Sequence, residues 1–160
     1  MDTTLATSLA WIMALCSGLM AGTYFAFSGF IMRSFASLGP ARAVAAMNAI
    51  NSIILKSAFM PLFFGSTVIG VLMALLGFWQ WGEPGAGLAV AAGLTYVIGM
   101  FVLTATANVP LNNALAKISG DSDEAAQAWA HYFNRWTRWN SVRAIASLAT
   151  LVLCIELLSL

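Results

Sequence analysis

The chain has 160 residues, 61% of them hydrophobic and only 8% charged, with a formal net charge of +1. A soluble domain needs a far larger charged share to stay in solution, and nucleic acid would require a basic stripe or patch that this composition does not supply. All seven lysines and arginines fall in two stretches, residues 33–56 and 117–143, and the remainder is long, nearly uncharged apolar sequence.

Four apolar runs follow one another at residues 5–31, 57–80, 87–107 and 141–160. Each reaches or approaches the ~20 residues that cross a bilayer core of about 30 Å. The first run is far longer than the apolar core of a signal peptide, so it is expected to remain in the mature protein. Ser37-Leu38-Gly39-Pro40 ends the first helix, and Pro40 suits the first turn of the next. From Ala41 to Trp79 the pattern is helical almost without interruption, which predicts one long rod bent at Pro61. Gly82-Glu83-Pro84-Gly85 makes a tight connection into the third run, after which Pro110 is expected to disturb the helix. Ser119-Gly120-Asp121-Ser122-Asp123-Glu124 closes that helix and caps a fourth that runs from Ser122 to Leu160.

These elements predict an all-α integral membrane four-helix bundle, up-and-down, forming a single domain over residues 1–160, with helices 2 and 4 extending into the cytoplasm. Basic side chains concentrate in short cytoplasmic loops, so both termini are expected outside the inner (plasma) membrane, where only Asp2, Glu83 and Glu156 carry charge. Cys16 and Cys154 lie inside apolar spans and read as small packing residues rather than a disulfide. Gly18 and Gly22, and Ser66 and Gly70, form small-residue steps for close helix contact. Packing within the chain is the expected use, and a homo-oligomer is left open.

The polar residues of interest collect at the basic end. Tyr132, Trp136, Asn140 and Arg143 recur at i, i+4, i+8 and i+11, one continuous helical stripe. Asn48 and Asn51 share a face of the second helix, Asn108 and Asn112 lie four apart, and Tyr24 and Ser28 sit one turn apart in the first span. An up-and-down bundle brings these groups to one level, which predicts an aromatic-lined polar pocket centred on Trp136, Asn140 and Arg143. Asn51, Asn108 and Asn112 are expected in its wall, because polar side chains at membrane depth usually face the interior. The Asn108 and Asn112 carbonyls are the expected acceptors for the Arg143 guanidinium. Trp129, Arg135 and Arg138 read instead as interfacial residues, and Asn113 and Asn134 as caps or interhelical glue. His131 is the single histidine, so one chain cannot assemble a multi-ligand metal site or a bis-histidine haem; no metal site and no cofactor are expected within it.

Four segments carry a resemblance: Gly22 to Ser28; Ala46 to Asn51 with Phe59-Met60-Pro61; Asn108-Val109-Pro110-Leu111-Asn112; and Trp136 to Arg143 with its Trp-Asn-x-x-Arg pattern. Together they resemble the anthrone oxygenase-like family of small four-span membrane proteins, most of unknown function. The resemblance implies cofactor-independent oxygenation of an activated phenolic ring. Arg143, Asn140, Asn108 and Asn112 would then stabilise a developing oxyanion. Trp136, Trp139 and Tyr24 would stack on a flat hydrophobic aromatic molecule, with Tyr132 and Asn51 beside it. No catalytic base follows, since His131 lies three turns from Arg143. Other classes stay open: a non-enzymatic membrane protein that binds a lipid, a quinone or a partner protein, or a haem- or metal-bearing redox protein built from His131 of several copies.

Overall fold

Helix α1 runs over Thr3–Ala26, widens into a π-helical segment at Phe27–Ile31 and continues as Met32–Ala36. These bounds come from a computed structural model, which describes residues 3–118 and 123–160. Next come α2, Pro40–Ile54, and α3, Phe59–Trp79. Helix α4 spans Ala86–Leu115, with π-helical turns at Val97–Val102 and Thr104–Asn108, and α5 is the 36-residue helix Asp123–Leu158. Among the described residues four helices, α1, α3, α4 and α5, are long and apolar enough to cross a membrane. They pack together as an all-helical bundle. The expected turn at 119–122 lies outside the described residues.

The long second rod is not continuous, and the bend is not at Pro61. A proline inside a helix clashes with the carbonyl four residues before it, here that of Ser57, and the chain breaks at that point. The Ser57 hydroxyl donates to the Ile54 carbonyl at 2.8 Å and accepts the Phe59 N–H at 3.2 Å. It thus ends α2 and starts α3, leaving Pro61 in the first turn of α3 where a missing N–H costs nothing. Helix α2 is therefore a separate element, lying against α5 and the end of α1 on buried Ala43, Val44 and Met47. Pro110, by contrast, does not end α4. The wide turns of Thr104–Asn108 come just before it and include Thr106, the residue whose carbonyl it would otherwise meet.

Away from the buried aromatic residues, many small side chains turn inward and many bulky ones outward. Small or flexible residues point inward: Ala10, Met13, Met20, Ala92, Met100 and Cys154 are buried. Bulky ones such as Leu15, Phe25, Val68, Leu75 and Ile145 are exposed, as expected where lipid is the solvent and helices must approach closely. A close approach joins α3 to α4. A Cβ on Gly93 would run into the Gly70 carbonyl and Ala74, whereas one on Gly22 would meet nothing within 4 Å. Of the two small-residue steps, the one ending at Gly70 thus makes the tight seam. Both cysteines are free, Cys154 buried and Cys16 half-buried. Trp129 departs from its interfacial reading: it is buried with Met32, Val44, Met47 and Leu115 in a second core at the basic end, while Arg135 and Arg138 are exposed.

Candidate ligand-binding cavity

The stripe on α5 faces inward throughout, with Tyr132, Trp136, Asn140 and Arg143 all buried. Its rings form a stack, Trp129 on Tyr132 and Tyr132 on Trp136, each pair with centroids 5.9 Å apart. Asn140 is the hub. Its amide nitrogen donates to the Tyr24 carbonyl at 2.6 Å and to the Ser28 hydroxyl at 2.7 Å, tying α5 to α1 where α1 widens. A buried amide has two N–H donors and a carbonyl to satisfy; both donors are used here, and the carbonyl accepts from Arg143 Nη2 at 2.8 Å.

Arg143 is 5% exposed and held by neutral groups. Besides Asn140, its Nη1 donates to Thr104 Oγ1 at 3.1 Å, and the guanidinium carbon sits 4.3 Å from the Tyr24 ring centroid and 5.3 Å from that of Trp136. These contacts correct the expected acceptors. Asn108 instead donates to the Trp136 carbonyl at 3.3 Å, and Asn112 accepts from the Tyr132 hydroxyl at 2.8 Å. Two stacked rings and two hydrogen bonds fix the cation, but none supplies a negative charge.

Beside this cation lies a cavity of about 630 Å³, within the usual range for a small-molecule site. Tyr24, Asn51, Asn108, Asn112, Trp136, Asn140 and Arg143 line it. Tyr132 and Trp139 do not: Tyr132 stands behind the wall and orients Asn112, and Trp139 is half-buried elsewhere on α5. The far wall is aromatic. Phe63 packs on Phe59, Phe64 and Phe101 with centroids 5.3 to 6.1 Å apart. Helix α2 closes the basic end with Met47, Asn48 and Asn51, and Asn48 Nδ2 reaches the Leu115 carbonyl, at the C-terminus of α4, at 3.4 Å. Tyr24, Asn48, Asn51, Asn108, Trp136 and Arg143 each keep one buried polar atom with no aligned hydrogen bond among the described residues. Such groups are rare in proteins unless water or a ligand serves them.

Thr104 and, apart from Phe59, the phenylalanine wall are not among the residues that the sequence marks. Thr104, Asn108 and Asn112 fall at i, i+4 and i+8, a stripe on α4 as regular as the one on α5, and that spacing was the available signal. His131 is exposed and does not line the cavity.

Fold and site together define a small four-helix membrane protein with a cavity that is apolar on one side and lined by amides and a buried cation on the other. The family model described as anthrone oxygenase matches residues 51–153, and the chain belongs to that family. The match covers the break between α2 and α3, all of α3 and α4, and the α5 stripe, but not Tyr24. No curated protein and no solved structure matches the chain.

Proposed function

We propose that the protein oxygenates a flat, hydrophobic phenolic compound in this cavity without a cofactor, Arg143 and the amides stabilising the substrate's anion. One observation carries the reading: a buried guanidinium whose partners among the described residues are neutral stands, with amides beside it, in the wall of a cavity whose other side is apolar. Burying a charge without a counter-charge costs several kcal/mol, and an anionic oxygen would offset that cost. Family membership points to the same substrate class. For an anthrone, loss of a carbon-bound proton gives a phenolate delocalised over the ring. That anion reduces dioxygen, a carbon–oxygen bond forms, and cleavage of the oxygen–oxygen bond with loss of water leaves a quinone carbonyl. Donors fixed in advance around the developing oxyanion are the usual protein contribution to such a step.

The basic end, with α2 and the first half of α5, is assigned to the cytoplasm from the distribution of charge, and the four spans are taken to act as one domain. Protein in lipid nanodiscs should convert 1,8-dihydroxyanthrone to the anthraquinone with equal uptake of oxygen, followed by absorbance and an oxygen electrode. Conversion no faster than in empty nanodiscs would overturn the assignment. The cavity wall holds no Asp, Glu or His among the described residues, which favours a second reading, binding without turnover. Saturable quenching of tryptophan fluorescence by the same compound without oxygen uptake is its signature.

A further inference from the structure

The cavity has an opening on the flank of the bundle. Some residues in its wall are also exposed: Ser52, Leu55 and Phe64 on one side, Ala105, Val109, Asn113 and Ala116 on the other. Ala105, Val109 and Asn113 fall at i, i+4 and i+8, so one face of α4 forms a whole rim. The opposite rim is the joint between α2 and α3. The rims are apolar where they matter, with Leu55 65%, Phe64 52% and Val109 41% exposed.

The reason for the gap lies in the backbone. Helices α3 and α4 are zipped together where Gly93 meets Gly70, and their packing thins along Val97–Val102. Beyond the Phe64–Phe101 contact, the wide turns of Thr104–Asn108 carry α4 onward while α3 stops at its break with α2. The height of the gap follows from helix rise. About 20 residues at 1.5 Å per residue cross the hydrocarbon core. Counting inward from Trp79 and from Ala86 places that boundary near Met60 and Ala105. The opening thus meets acyl chains at Phe64 and Ala105, and headgroups at Asn113 and Ser52.

We infer that the cavity is loaded sideways from the bilayer, through the gap between Leu55 and Phe64 on one rim and Ala105 and Val109 on the other. Its ligand is a lipid-soluble flat aromatic that travels polar oxygen first to Arg143 and leaves its apolar rings against Phe59, Phe63 and Phe101. This deepens the functional reading above and rests on it for the chemistry of the ligand, but not for the route. A molecule of that kind is concentrated by the membrane, so an opening to lipid shortens its path, whereas an opening to water would require it to leave its preferred phase.

The route can be tested without any substrate. In a protein whose native cysteines are replaced (Cys16→Ser, Cys154→Ala), a single thiol is placed in the wall as Met47→Cys or, in a second variant, Phe101→Cys. Each is treated in nanodiscs with N-(1-pyrenyl)maleimide, which dissolves in the bilayer, and with a sulfonated maleimide, which does not. The ratio of the two labelling rates, referred to the exposed control Ser37→Cys, should favour the pyrenyl reagent by about tenfold because the bilayer concentrates it at the opening. Ala105→Trp, which plugs the rim, should slow cavity labelling and leave the control unchanged. A ratio equal to the control's, no labelling of either wall position by either reagent, or indifference to the plug would overturn the lateral route. Labelling as expected alongside failure to bind or convert dihydroxyanthrone would sink the phenolic reading and leave the route standing.

Discussion

Asn140 and Arg143, one turn apart on α5, share a 2.8 Å hydrogen bond in which the asparagine carbonyl accepts from the guanidinium. The same asparagine spends its amide on the Tyr24 carbonyl and Ser28. A contact between two helices and the aim of the buried cation therefore depend on one side chain. Asn140→Asp keeps the acceptor but removes both donors and adds a charge. The new carboxylate should neutralise Arg143 and face the Tyr24 carbonyl without a proton between them. Affinity for a phenolate probe should fall more than about tenfold, equivalent to 1.4 kcal/mol, in a fluorescence titration. Undiminished affinity would remove Asn140 from the anion site.

Arg143 separates function from stability. Replacing a buried charge by an apolar side chain of similar reach is often neutral or stabilising, by about 1–4 kcal/mol, although two acceptors lose their donor at about 1 kcal/mol each. Arg143→Met should therefore melt at the wild-type temperature or above while losing phenolate binding and turnover. Arg143→Lys should also lose them, since an ammonium cannot reach Asn140 and Thr104 as a planar fork. Arg135→Ala, at an exposed position, should behave as wild type in both assays. A melting point well below wild type for Arg143→Met would mean that the cation serves the fold.

The seam between α3 and α4 makes a purely structural prediction. In Gly93→Ala the added methyl meets the Gly70 carbonyl and Ala74, and overpacking of this kind costs about 1–3 kcal/mol. Gly87→Ala adds the same atom in open space and should gain up to about 1 kcal/mol from helix propensity. Denaturation in mixed detergent micelles should rank the three proteins Gly87→Ala, wild type, Gly93→Ala. Equal stability of the two variants would contradict the close approach.

Orientation is testable on intact cells with single cysteines at Pro84 and Ser37, both exposed and at opposite ends of the bundle. A membrane-impermeant maleimide should label Pro84→Cys from outside and leave Ser37→Cys unlabelled until the cells are opened. The reverse pattern would invert the topology.

By itself the sequence determined the class of the protein and the composition of its site. Apolar length sets the number of crossings because an unpaired backbone cannot lie in lipid. The i, i+4 spacing of Tyr132, Trp136 and Asn140 sets their common face because a helix has 3.6 residues per turn. Both are local rules that hold before any helix meets another. Two other features were decided only by the tertiary structure, and a third, the break before Pro61, follows a local rule that acts four residues away from the proline. Pro61 was legible as a disturbance, but the break moved to Ser57 because a proline acts on the carbonyl four residues back and Ser57 can cap both ends. Trp129 reads as interfacial because tryptophan concentrates at membrane boundaries; only the packing of α2 across the basic end buries it. The partners of Arg143 depend on where the wide turns of α4 carry Thr104 relative to Asn108, a rotation set by helix-to-helix packing that no spacing within α4 encodes. A stripe specifies which residues face inward, and the neighbouring helices decide what each of them meets.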